Sequence, residues 1–107
     1  MNPIDRQELT TLIARGTPVV LLEALPERSF TAGHLPGARH FPHDRAVELA
    51  ASVVPEREVT IVVYCASETC RNSHVAAAAL AQLGYPDVRV YAGGKKDWEE
   101  AGLVLER

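Results

Sequence analysis

The strongest strand signal in the chain is Val59–Tyr64, with the sequence VTIVVY, and it leads directly into a polar loop. The loop reads Cys65-Ala66-Ser67-Glu68-Thr69-Cys70-Arg71. An unbroken run of β-branched and aliphatic residues is typical of a strand covered on both faces, as in a parallel sheet. We therefore predict a central, buried strand that ends at Cys65.

The segments around this strand alternate between helical and strand patterns. Asp5–Glu8 has the form of a capping box and predicts the start of a first helix, which is followed by a second apolar run at Val19–Leu22. After the loop, the alanine-rich stretch Ser73–Leu83 predicts a helix that ends at Gly84, and Val88–Tyr91 predicts another strand. Helices that alternate with buried strands indicate a mostly parallel, doubly wound sheet.

Three shorter elements complete this organisation. Ala38–Phe41 predicts a brief strand, Asp44–Ser52 a short helix that includes Val47, and Lys95–Ala101 a last helix with Trp98 facing the core. Because there is no repeat, linker or low-complexity segment, we expect residues 1–107 to form a single domain.

Composition narrows the class of protein. The chain has 107 residues, 47% of them hydrophobic, and a net charge of −3, which suits one compact core and argues against nucleic acid or an anionic membrane as a main partner. The first residues resemble no secretory signal, and no stretch approaches the roughly 18 apolar residues of a membrane span. We expect a soluble, cytoplasmic protein in which both cysteines are reduced thiols.

Cys65 is the main candidate for chemistry. A thiolate between a strand and a helix meets the positive end of the helix dipole and several backbone N–H groups, so its pKa is expected to fall and its nucleophilicity to rise. Arg71 could add a positive charge there and pair with an oxyanion, while Asn72 or Ser73 could cap the helix. The competing interpretation makes Cys65 a small buried apolar residue and Arg71 a solvated one.

Two motifs in this order resemble those of rhodanese domains. Gly33–Ala38 (GHLPGA) is similar to a turn of that family, and Tyr64–Tyr85, with the later Val88, Gly93-Gly94 and Trp98, is similar to its C-terminal half. The resemblance implies a five-stranded, mostly parallel sheet with helices on both faces. It also implies that His34, Asp97 and Trp98 are architectural.

The same resemblance implies an activity. Cys65 matches the active-site cysteine, which would carry sulfur as a persulfide from thiosulfate, polysulfide or another persulfide to a thiol or cyanide acceptor. The expected partners are thus a small anionic sulfur donor and a thiol, including a thiol of a partner protein, and no metal or organic cofactor is needed. The expected substrate-binding residues are those of the loop: Ala66, Ser67, Glu68, Thr69, Cys70 and Arg71.

The loop departs from the commonest family pattern, in which an arginine stands five residues after the cysteine. Here Cys70 holds that place and Arg71 follows, so the loop resembles a Cys-x4-Cys-x2-Ser variant that ends at Ser73. Cys65-x5-Arg71 is also similar to the signature of cysteine phosphatases and arsenate reductases, a second candidate function. Against it, Tyr64 replaces the usual histidine and Glu68 would repel a dianion.

Three questions stay open at this level. Cys70 is a candidate resolving cysteine for Cys65, since a curved loop can bring two such residues within disulfide range, or it merely fills the helix start. Cys65, Cys70 and His74 are suitable ligand types for a metal site, but a clear fourth ligand is lacking. Glu23 stands where many rhodanese domains have an aspartate followed by an arginine two residues on, and Arg28 or Arg39 could replace that arginine.

A non-catalytic, regulatory module of the same fold is the third candidate function.

Overall fold

The computed structural model describes residues 1–107 and contains one five-stranded sheet. All neighbouring strands are parallel, in the order β1-β5-β4-β2-β3. The strands are β1 (Asn2–Pro3), β2 (Val19–Glu23), β3 (Arg39–His40), β4 (Thr60–Tyr64) and β5 (Val88–Tyr91). The predicted parallel sheet is confirmed, and β4 lies at its centre. Only β1 has no counterpart among the strands expected from the residue pattern, because its two residues are too few to show a periodicity.

Four α-helices connect the strands, and a fifth follows β5. They are α1 (Arg6–Ala14), α2 (Glu27–Ala32), α3 (Ala46–Val53), which follows a 3-10 turn at His43–Arg45, α4 (Asn72–Gln82) and α5 (Gly94–Glu100). The capping box at the start of α1 is present, with the Glu8 N–H donating to Asp5 Oδ1 at 2.8 Å and the Asp5 N–H to Glu8 Oε1 at 3.1 Å. No helix is both long enough and apolar enough to span a membrane.

The sheet separates two hydrophobic clusters. Val63 faces a cluster of 15 buried residues that includes Ala76 and Leu80 of α4. Val62 faces a second cluster of 8 buried residues, which includes Leu9 of α1 and Trp98 of α5. The expected burial of the central strand on both faces is therefore confirmed, and helices cover both sides of the sheet.

Two details differ from simple expectations about the helices. Val47 and Val75 belong to apolar helical patterns, yet they are 68% and 51% exposed. Helix α4 has Arg71 as its N-cap residue and no side-chain cap, so neither Asn72 nor Ser73 caps it. The N–H groups at the start of α4 are consequently not occupied by a capping side chain.

Candidate active site

Cys65 follows β4 at the carboxyl edge of the sheet, beside the ends of β2 and β5. Tyr64, the last residue of β4, is in register with Glu23 of β2 and Tyr91 of β5. Ligands of parallel α/β sheets bind beyond this edge. The order of strands thus places Cys65 at the edge where a ligand of such a sheet would bind.

The first turn of α5 holds the backbone at Cys65 in place. The Lys95 N–H donates to the Cys65 carbonyl at 3.1 Å, and the Lys96 N–H donates to the Ala66 carbonyl at 2.9 Å. Gly94 permits this approach, because it has a φ of +62° and because a Cβ there would overlap the Cys65 carbonyl oxygen.

The sulfur of Cys65 lies under the loop that follows it. Only 1% of the residue is exposed. Its Sγ donates to the carbonyl of Cys70 at 3.3 Å and lies 3.4 Å from Oγ of the wholly buried Ser73. The loop and the start of α4 therefore close over the thiol.

Burial raises the pKa of the Cys65 thiol above its usual value, and the neighbouring Cys70 thiol raises it further, whereas the hydroxyl and the N–H of Ser73 oppose the change. The expectation that this pKa falls is wrong. Loss of hydration favours the neutral thiol more strongly than the local dipoles favour the thiolate. The sequence indicated the dipoles of the loop and of the following helix, but it did not indicate how deeply the Cys65 sulfur is buried.

Backbone N–H groups are available along the loop. Those of residues 66–69 donate to no acceptor within the chain, while the Cys70 N–H closes a turn onto the Ser67 carbonyl at 3.0 Å. The Ser73 N–H is close enough to the Cys65 sulfur to lower its pKa. Unoccupied N–H groups in a turning loop before a helix form a favourable environment for an anion.

The charged side chains of the loop are exposed and make no hydrogen bond with the Cys65 sulfur. Arg71 is exposed, and neither a hydrogen bond nor an ion pair holds its guanidinium. Glu68 is also exposed and lines a hollow of about 150 Å³ with Lys96, Asp97 and Glu100. The structure thus brings Ser73 and Cys70 to Cys65, but not Arg71, whose part in anion binding stays a prediction.

A polar network lies beneath the loop. The hydroxyl of Tyr64 donates to Glu23 Oε1 at 2.9 Å and accepts the Leu35 N–H at 3.0 Å. Lys95 Nζ pairs with the same Glu23 oxygen at 3.0 Å and donates to the Ser29 carbonyl at 2.7 Å. Burial, followed by the charge of Glu23, raises the pKa of Tyr64.

A family comparison is consistent with this geometry. A family model described as a rhodanese-like domain matches residues 5–101. The chain belongs to the rhodanese-like family. The likeness predicted from the two sequence motifs is therefore confirmed.

Two curated relatives of this rhodanese-like chain are much longer than the chain itself. It is 29% identical over 105 residues to an HTH-type transcriptional regulator of Mycobacterium tuberculosis, covering 98% of this chain and 45% of the regulator. It is 35% identical over 85 residues to the sulfur carrier protein TtuD of Thermus thermophilus, covering 67% of this chain and 30% of TtuD. The chain thus spans less than half the length of these curated relatives.

Solved structures support the rhodanese fold. The human single-domain sulfurtransferase TSTD1 superimposes with a TM-score of 0.81 at 24% sequence identity. The match covers 94% of this chain and 96% of the human protein. At that identity the likeness establishes the fold.

Lys95 is the residue of this rhodanese-like site that sequence reasoning missed. The sequence offers Arg28 or Arg39 as the cation near Glu23, but Arg39 pairs with Glu56 at 2.9 Å and Arg28 is exposed. Lys95 fills that role from α5, far along the chain. The only signal in the sequence was the acidic residue itself, since a carboxylate at a buried strand end needs a partner.

The remaining candidates lie outside the immediate surroundings of the sulfur. His34 stacks on Phe30, with 3.9 Å between ring centroids, and its Nδ1 lies 2.9 Å from the Phe30 carbonyl. Asp97 accepts hydrogen bonds from Tyr91 and Arg6. These contacts fit the architectural roles that the resemblance implied. His74 does not assemble with the two cysteines into a group of three potential metal ligands.

Proposed function

We propose that this rhodanese-like domain is a sulfurtransferase in which Cys65 carries sulfane sulfur as a persulfide. The observation that carries the proposal is the position of the Cys65 thiol, which lies beneath a loop whose N–H groups at residues 66–69 have no acceptor in the chain. Such groups can stabilise the negative charge of a persulfide without rearranging.

The first half-reaction begins with deprotonation of Cys65. Because burial raises the pKa of this thiol, its proton passes to water before the attack and is taken up by the departing sulfite, while the Ser73 hydroxyl and N–H favour the thiolate that forms. With thiosulfate, the thiolate attacks the outer sulfur, a Cys65 S–S bond forms, the S–SO3 bond breaks, and sulfite leaves with the electron pair. The product is the anion Cys65-S-S⁻.

The second half-reaction returns the cysteine. An acceptor thiolate attacks the outer sulfur, and the Cys65 thiolate is the leaving group. The relatives support this division into donor and acceptor steps, because TtuD is named a sulfur carrier protein and the human neighbour a sulfurtransferase. Small sulfur anions and protein thiols are accordingly the proposed partners.

The test is a single turnover with thiosulfate. Reduced protein is freed of small thiols, mixed with thiosulfate without oxygen, and assayed for sulfite. We expect about one equivalent of sulfite per chain from the unmodified protein and none from Cys65→Ser. Val75→Ser, an exposed change on α4, is the matched control and should behave as the unmodified protein. No sulfite from the unmodified protein, combined with turnover of p-nitrophenyl phosphate that needs Cys65, would favour the phosphatase alternative instead.

A regulatory role is a second candidate. The curated relative from M. tuberculosis is named a transcriptional regulator, and 98% of this chain aligns with it. In that role the Cys65 persulfide would report sulfane sulfur rather than pass it on. A sensor would take up one sulfur per chain and release sulfite once, whereas a sulfurtransferase would continue to release sulfite when an acceptor thiol is present.

A further inference from the structure

The loop contains a second free thiol close to the first. Both cysteines are free, and Cys70 is only partly buried, whereas Cys65 is almost wholly buried. The turn from the Cys70 N–H to the Ser67 carbonyl, 3.0 Å, folds the loop back toward the sheet. As a result the Cys70 carbonyl accepts a hydrogen bond from Cys65 Sγ at 3.3 Å.

The observed contact is between Cys65 Sγ and the backbone of Cys70, 3.3 Å apart. The Cys70 side chain is also near enough to raise the pKa of Cys65. An external acceptor thiol must reach a sulfur that the loop closes off from solvent. Cys70 is already inside that loop, so its reaction with sulfur carried on Cys65 has the high effective concentration of an intramolecular step.

We propose that Cys70 is a second reacting thiol, which cleaves the Cys65 persulfide to release hydrosulfide and leave a Cys65–Cys70 disulfide. This inference rests on the proposed function, because it needs the persulfide as its starting point. It adds a further activity to the same site, the reduction of sulfane sulfur to sulfide.

The electrons balance without an outside oxidant. Cys70 loses its proton and attacks the inner sulfur, Cys65 Sγ; the Cys65–Cys70 bond forms, the bond to the outer sulfur breaks, and that sulfur leaves with the electron pair. It departs as HS⁻ with the proton from Cys70. The outer sulfur is reduced, and the two cysteine sulfurs are oxidised to the disulfide.

The step places the domain in a reaction sequence. After each turnover the disulfide must be reduced before Cys65 can accept sulfur again. The chain therefore requires a thiol reductant as its co-substrate, and a dithiol suits this role because it can open a disulfide by exchange and close its own. Thiosulfate with a dithiol would yield sulfite and sulfide.

The experiment follows sulfur and mass in parallel. Reduced full-length chain is mixed with thiosulfate without oxygen. One aliquot is trapped at neutral pH with monobromobimane to count sulfite and sulfide, and a second is freed of small molecules for intact mass. For the unmodified protein we expect one equivalent each of sulfite and sulfide and a mass lower by about 2 Da, with Cys65 and Cys70 joined in one peptide pair. For Cys70→Ser we expect sulfite, no sulfide, and a mass higher by about 32 Da.

Other outcomes overturn the inference in distinguishable ways. If the persulfide persists in the unmodified protein and no sulfide is released, Cys70 does not have the proposed role, but the proposed sulfur transfer stands. Sulfide release that is equal in Cys70→Ser also rules out the role of Cys70. Absence of sulfite from both proteins removes the sulfur transfer itself, and the inference falls with it. Because the unmodified protein alone gives a decisive mass, the conclusion does not depend on the folding of the variant.

Discussion

Lys95 Nζ lies 3.0 Å from Oε1 of Glu23, a residue with no exposed surface. The pair connects the end of β2 to α5, the helix whose first N–H groups bind the carbonyls of Cys65 and Ala66. Glu23 Oε2 has no hydrogen-bond partner, so the carboxylate depends on Lys95 and on the Tyr64 hydroxyl. Removing the cation would leave a buried charge with little compensation.

Lys95→Met is expected to lower the free energy of unfolding by about 3–5 kcal/mol, the usual effect of removing one partner from a buried ion pair. Urea denaturation checks this. Lys96→Met is the matched control, because Lys96 is exposed, and its effect should stay within about 0.5 kcal/mol. Adding Glu23→Gln to Lys95→Met should restore part of the stability. Equal effects at the two lysines would contradict the importance of the pair.

Gly94→Ala is expected to damage the active site itself. The new Cβ would overlap the Cys65 carbonyl and also adopt an unfavourable positive φ. Gly102→Ala has the same backbone problem, with a φ of +82° but no atom within 4 Å, and should cost only about 1–2 kcal/mol. Sulfite release should fall severely in Gly94→Ala and stay normal in Gly102→Ala. Normal release from both variants would show that the close contact is not needed.

The sequence predicted the parts of the fold that depend on local patterns. The apolar run Val59–Tyr64 indicated a strand covered on both faces, and the structure buries Val62 and Val63 in opposite clusters. The position of Cys65 followed from the end of that strand. These features are encoded in a short window, where periodicity is informative.

Features that depend on contacts across the chain were not predictable in this way. The depth of the Cys65 sulfur is set by how the loop folds over it, and that depth reversed the expected direction of its pKa shift. Lys95 reaches Glu23 only because β5 and β2 flank the same strand. Val75 fits an apolar helical pattern but is 51% exposed, and it lines an open hollow with residues 43–48 instead of entering the core.

Alkaline pH is expected to destabilise the protein through Tyr64. The folded state raises the pKa of this tyrosine, chiefly by burial and then by the charge of Glu23, so folding favours the protonated form. Its contribution is fully present below the unfolded pKa of about 10 and is lost as the pH rises beyond it, by about 1.4 kcal/mol per pH unit. Thermal or urea unfolding between neutral pH and pH values above 10 measures the slope. Tyr64→Phe should show a shallower slope, and an unchanged one would contradict this assignment.

The reactivity of Cys65 is governed by opposing effects that can be separated by substitution. Burial and the Cys70 thiol raise its pKa, while the Ser73 hydroxyl and N–H lower it. Since only the thiolate reacts with an alkylating agent, the pH dependence of alkylation reports this pKa directly. Each neighbour should then shift the profile in its own direction.

Iodoacetamide alkylation is measured separately for the Cys65 and Cys70 peptides. The rate at Cys65 should rise with pH and reach its midpoint above the ordinary cysteine pKa of about 8.5. Cys70→Ser removes a thiol that raises the pKa of Cys65, so its profile should move to lower pH. Ser73→Ala removes a hydroxyl that lowers this pKa, so its profile should move to higher pH. A midpoint below the ordinary value in the unmodified protein would mean that the loop dipoles outweigh burial, contrary to the buried position of the sulfur. Shifts of the same sign in both variants would point to a general disturbance of the loop rather than to the two specific contacts.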